Sequence, residues 1–164
     1  NLPLLIFLDM PGFMLGSHAE RIATMRRGAR ALIASAECQV QKIEFMVRKS
    51  YGVAADAPNS IGLPNSINLR FGWPSGEWGG IPIEGGVAAA YRREIAEADD
   101  PDAHRAEIED RLLRLRSPFR AAHRGDVVDL IDPRETRALA CRFINLAQPK
   151  LAELAQRSKR AVRP

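Results

Sequence analysis

The 164-residue chain reads as an α/β domain, and three observations carry that reading. Short apolar runs closed by turn residues recur as candidate strands. Stretches with apolar residues at helical spacing lie between them. The resulting order of strand, helix, strand, loop, strand, helix is that of an α/β protein.

The first run, Leu4-Leu5-Ile6-Phe7-Leu8, is bounded by Pro3 and by Asp9-Met10-Pro11-Gly12, and predicts a fully buried strand. Ser17-His18-Ala19-Glu20 has the spacing of a capping box, which predicts a helix start. Behind it Ile22, Met25, Ala29, Leu32, Ile33 and Ala36 predict one amphipathic helix. A second buried strand is expected at Ile43–Val47, and residues 58–66 are rich in turn formers. Ile67–Trp73 is the third strand candidate, followed by a glycine-containing loop at 74–80 and a helix over Val87–Ala98. Asp100-Pro101 and Asp132-Pro133 each set a capping residue before a proline, predicting helices near 101–116 and 133–147. Between them Val127–Ile131 is a short strand, and Pro149 is expected to end the last helix, leaving a separate peripheral one from Lys150 to Arg163.

Composition excludes several classes. Apolar residues at 46% and charged residues at 27% are ordinary for a globular domain, so a packed core rather than disorder is expected. A net charge of +4 with no interleaved aromatics argues against nucleic acid, and the cluster Arg157, Lys159, Arg160, Arg163 reads as a solvated tail. The apolar run at Leu2–Leu8 is too short to span a bilayer, so no membrane partner is expected. Cys38 and Cys141 have no metal-ligand spacing and are read as reduced thiols. His18, His104 and His123 read as surface residues, and no metal site is expected. The Gly76–Gly86 stretch lacks the Gly-Lys-Ser/Thr ending of a phosphate loop, and no serine sits in a nucleophile elbow. Trp73 and Trp78 read as core or interface anchors, and Glu77 and Glu84 as helix-capping or loop-orienting acids. The absent initiating methionine suggests a piece of a longer polypeptide.

Four segments together carry a family resemblance: LLIFLDMPGFMLG at Leu4–Gly16, KIEFMVRKSYG at Lys42–Gly52, WPSGEWGGIPIEGGVAAAY at Trp73–Tyr91 and VVDLIDPRETR at Val127–Arg137. In this order the chain resembles the C-terminal domain of biotin-dependent acyl-CoA carboxylase carboxyltransferases of the propionyl-CoA carboxylase β type. The resemblance implies a crotonase-like spiral of β-β-α units with two stacked sheets and peripheral C-terminal helices. It implies a carboxyltransferase domain over residues 1–148 and a helical tail over 149–164. The implied activity is carboxyl transfer from carboxybiotin on a carrier domain to an acyl-CoA, this chain supplying the biotin side of the site. The implied partners are a biotin carboxyl carrier or biotin carboxylase subunit, and further copies of the chain with sites shared between subunits. The cytoplasm is the expected compartment, the mitochondrial matrix the alternative.

The site residues implied by the resemblance sit on the turn after the second strand. The amides of Val53 and Ala54 match the pair that stabilises the ureido oxygen of biotin, with Gly52 permitting the turn. Helix-start amides suit that task because they are unpaired and partly positive. Asp56 matches the acyl end of the pocket, and Gly12 and Phe13 the walls around biotin. The sequence departs from the family pattern here: only Gly52 remains of a glycine pair, β-branched Val53 resists a positive φ, and Pro58 stands where a methionine is expected. Pro82 and Gln41 also differ, replacing a glycine and a proline. A catalytically impaired assembly subunit is therefore one alternative, and a biotin-dependent acyl-CoA decarboxylase subunit another.

Overall fold

The computed structural model describes residues 2–59 and 66–154. Its centre is a parallel sheet built from β1 (Leu4–Met10), β2 (Lys42–Tyr51), β3 (Asn68–Gly72), β4 (Glu77–Gly79) and β5 (Asp129–Leu130). The order is β1-β2-β3-β5, with β4 joining the far end of β2 as a branch. The expected strands at the start, the second run and Asn68–Gly72 are present, whereas the fifth is only two residues long.

β2 is the spine, because it alone touches β1, β3 and β4. Its alternate residues face opposite sides, as strand geometry requires. Ile43 and Phe45 face one layer, where Phe71, Ile131, Ala140 and Phe143 complete a core cluster. The rings of Phe7, Phe45 and Phe71 stack across three adjacent strands, with centroids 5.6 Å and 6.0 Å apart. Met46 faces the other layer, with Leu8, Ala55, Trp78, Ala121 and Val127.

β1 departs from expectation. It is an edge strand, and Leu4, Leu5 and Phe7 are exposed, Phe7 by 59%. An apolar run reports a capacity for burial, but among the described residues β2 is the strand that pairs with β1.

The helices differ from expectation at their ends. Ser17 does not cap: Gly16 holds the N-cap position of α1 (Ser17–Arg21) and no side-chain cap bond forms. Ala23 adopts a left-handed conformation at φ 56°, so the expected single helix divides into α1 and α2 (Thr24–Glu37). Met25 and Ile33 on α2 are exposed, so its apolar stripe is only partly buried. After α3 (Gly52–Asp56), a 3-10 turn at Ala57–Asn59 takes up Pro58, which therefore does not interrupt a helix. The helix expected over Val87–Ala98 divides at Tyr91 into α4 (Ile83–Ala90) and α5 (Arg92–Ala96).

Asp100 caps α6 (Pro101–Leu115), accepting from the Ala103 amide at 3.0 Å. α7 (Pro118–Arg124) was not anticipated. Asp132 and Glu135 form a capping box around a 3-10 turn that leads into α8 (Thr136–Leu154). Pro149 does not break α8, which continues through it to Leu154. The carbonyl that proline deprives of a donor belongs to Asn145, an exposed residue. The proposed tail beyond Leu154, with its basic cluster, and the turn-rich stretch at 60–65 lie outside the described residues.

Candidate functional site at the end of the second strand

β2 ends at buried Tyr51, and the chain turns at once into α3. Gly52 makes that turn with φ 61°, a left-handed value that glycine adopts without a Cβ penalty. Val53 is not among the residues with positive φ; the glycine carries the strain and the valine lies in the helix with its side chain 55% exposed. Val53 and Ala54 are consecutive residues in the first turn of α3, where amide N–H groups have no acceptor within the helix.

Glycines crowd around this corner. A Cβ on Gly12 would sit 3.8 Å from the Tyr51 carbonyl oxygen, and one on Gly52 would sit 3.1 Å from that of Gly80. On Gly79 it would come within 2.8 Å of the Tyr51 ring, whereas on Gly80 it would meet open space. Three segments distant in sequence thus bring bare backbone to one place. The Phe13 ring lies against Gly28 of α2, where a Cβ would approach its Cζ to 2.5 Å.

Asp56 is exposed and is held by Arg70, whose Nη1 lies 3.3 Å from its Oδ1. The same guanidinium donates through Nε to buried Glu44 at 2.7 Å. One arginine therefore joins the end of α3 to the middle of β2.

The strand end is braced on both flanks. Asp9 accepts from Arg48 Nη2 at 2.9 Å and from the Lys49 amide at 3.1 Å. Those bonds fill an irregularity where β2 advances four residues, Met46 to Ser50, while β1 advances two, Leu8 to Met10. The bonds from Arg48 hold the Asp9 carboxyl below its ordinary range. Lys49 reaches Glu84 at 3.5 Å, so the Arg48-Lys49 pair is engaged within the protein. The Tyr51 hydroxyl donates to Glu77 Oε2 at 3.0 Å, and burial, then Glu77, pushes its pKa up to about 12. Trp78 is buried in the core rather than exposed as an assembly contact. His104 pairs with Glu94, and among the described residues no group of three or more His, Cys, Asp or Glu is arranged to hold a metal. No helix among them is long and apolar enough to cross a membrane.

The carboxyl transferase domain model matches residues 1–162. The chain belongs to that family. The carboxyltransferase subunit of Haloferax mediterranei propionyl-CoA carboxylase is 40% identical over 138 residues, which are 84% of this chain and 26% of that protein. The methylmalonyl-CoA carboxyltransferase 12S subunit of Propionibacterium freudenreichii subsp. shermanii is 41% identical over 138 residues, with the same coverage. A transcarboxylase 12S structure, a hexameric assembly with methylmalonyl-coenzyme A and methylmalonic acid bound, superposes with a TM-score of 0.71 at 34% identity. That match covers 99% of this chain and 30% of the other. The chain thus spans between a quarter and a third of the length of these relatives.

The fold is that of the carboxyltransferases, a crotonase-like architecture, as the four motifs imply. Gly12 and Gly52 meet at the corner the resemblance singles out, with Val53 and Ala54 on its helical side. Asp56 lies four residues beyond Gly52, at the end of α3. The sequence marks Glu77 as a capping or loop-orienting acid, but not its partners Tyr51 and Arg116, which it meets behind that corner. The available signal was the polar tyrosine at the end of an apolar strand, which when buried demands a partner for its hydroxyl.

Proposed function

We infer that this carboxyltransferase domain supplies the biotin side of the site for carboxyl transfer from carboxybiotin on a carrier domain to an acyl-CoA. Carboxybiotin supplies the carboxyl group when bound. The residues here fit a planar ureido ring: glycines let it approach the backbone, and two successive helix-start N–H groups suit an oxygen that gains charge as the carboxyl group departs. In this reading Val53 and Ala54 donate, Gly52 turns the chain, Gly12 and Phe13 bound the ring, and Asp56 stands toward the acyl end. The acyl-CoA side comes from the remainder of the longer polypeptide, in a second copy when sites are shared in an oligomer. A biotin carboxyl carrier or biotin carboxylase subunit is the partner, and the cytoplasm the compartment.

The observation that supports the reading is the left-handed Gly52, which leaves Val53 in the helix without a positive φ despite the missing second glycine. It favours an active site over an impaired paralogue. The test is Val53→Pro in the complete carboxyltransferase polypeptide, with Val53→Ala as control. Proline is tolerated in a first helical turn but donates nothing. Loss of one oxyanion donor is worth a fall of about 100-fold in kcat, whereas Val53→Ala stays near the wild-type rate. A folded Val53→Pro protein with unimpaired carboxyl transfer sinks the assignment.

A further inference from the structure

Behind the glycine corner lies a polar cluster that touches no substrate in this reading. Tyr51 is only 1% exposed, yet its hydroxyl has a partner, Glu77 Oε2 at 3.0 Å. The same oxygen accepts from Arg116 Nη1 at 3.4 Å. Arg116 closes the end of α6, and its carbonyl accepts from the Trp78 amide at 3.0 Å. β4 is thereby held to α6 by one main-chain and one side-chain contact. β4 in turn pairs with the last residues of β2, Lys49 with Glu77, Ser50 with Trp78 and Tyr51 with Gly79.

The geometry is that of a brace. A two-stranded parallel contact of three residues is weak by itself, and the ladder ends just where the chain must turn. The buried phenol adds a fixed point at its last rung. Gly79 lets the ring lie flush against β4, since a Cβ there would collide with it. The peptide joining Tyr51 to Gly52 then has little freedom, and the directions of the next two N–H groups follow from it.

We propose that Tyr51, Glu77 and Arg116 form a positioning device for carboxyl transfer, fixing the orientation of the Val53 and Ala54 amides through the Tyr51 hydroxyl. The proposal rests on the reading of those amides as the biotin-side donors. Tyr51 and Glu77 are positioning residues in this reading, because they act through the main chain of the turn and not on the substrate.

The experiment compares Tyr51→Phe, Glu77→Gln and Glu77→Leu with wild type in the complete carboxyltransferase polypeptide, together with its biotinylated carrier. Tyr51→Phe keeps the packed ring and removes only the tether. Its kcat should fall about tenfold, equal to ~1.4 kcal/mol of transition-state stabilisation, with KM for the acyl-CoA unchanged. Glu77→Gln keeps an oxygen acceptor for the phenol and should restore most of the rate, whereas Glu77→Leu should match Tyr51→Phe. The double variant Tyr51→Phe/Glu77→Leu should be no worse than either single one, because the bond can be lost only once. A merely structural role would lower thermal stability in all variants and leave kcat per folded enzyme alone; that result overturns the proposal, as does wild-type kcat in Tyr51→Phe. Val53→Pro separates the two layers. If it stays active, the donor assignment fails and this proposal with it; if it is inactive while Tyr51→Phe is normal, only the brace is wrong.

Discussion

The Tyr51 hydroxyl offers a direct physical test of the buried strand end. Its pKa stands near 12 in the folded protein against 10.0 for a free phenol, because burial and then the Glu77 carboxylate disfavour the phenolate. A folded value above the unfolded one means that the neutral group stabilises the fold. That contribution is complete below about pH 10 and is lost as pH rises through about 12, since the unfolded chain ionises first. Two pH units correspond to at most ~2.7 kcal/mol. Phenolate absorbance would be titrated in wild type and Tyr51→Phe, and the difference curve assigned to Tyr51. Its midpoint should lie near 12. Denaturant midpoints taken at about pH 8 and about pH 11 should then fall further for wild type than for Tyr51→Phe. A difference curve centred at the free-phenol value would mean that the hydroxyl is solvated, and the brace behind the corner would have no basis.

Two further substitutions probe the frame around the site. Arg70→Ala strips the guanidinium from buried Glu44 and from Asp56, and removing one partner of a buried ion pair should cost about 3 kcal/mol in chemical denaturation. Gly28→Ala adds a Cβ within 2.5 Å of the Phe13 ring. Alanine favours the helix by about 1 kcal/mol, but overpacking costs about 1–3 kcal/mol, so net destabilisation is expected by the same measurement. A more stable Gly28→Ala variant would show that Phe13 moves aside without loss.

The sequence was most legible where local chemistry fixes local structure. Asp100-Pro101 and Asp132-Pro133 start helices because a carboxylate and a preset φ act within one turn. The apolar runs of β1 and β2 gave the strands, but not that β1 lies at an edge, since burial depends on neighbours a run does not name. β4 is three residues long, too short for any period to register. α7 carries readable signals, Ser117-Pro118 at its start and Gly125 at φ 81° after its end, but its seven residues fall just short of two turns. The Tyr51–Glu77 bond joins residues 26 apart, so only the folded sheet brings them together. The turn was placed by resemblance, and Gly52 as its pivot agrees with the backbone, whereas the concern over Val53 dissolves because the glycine alone takes the left-handed angle.

The margin of β1 that no strand among the described residues pairs has a consequence for handling this chain. Leu4, Leu5 and Phe7 stand beside a border of main-chain donors and acceptors, which is the surface another strand seeks. Left uncovered, this border would present a template on which copies stack edge to edge. Solubility at this border therefore depends on what covers it.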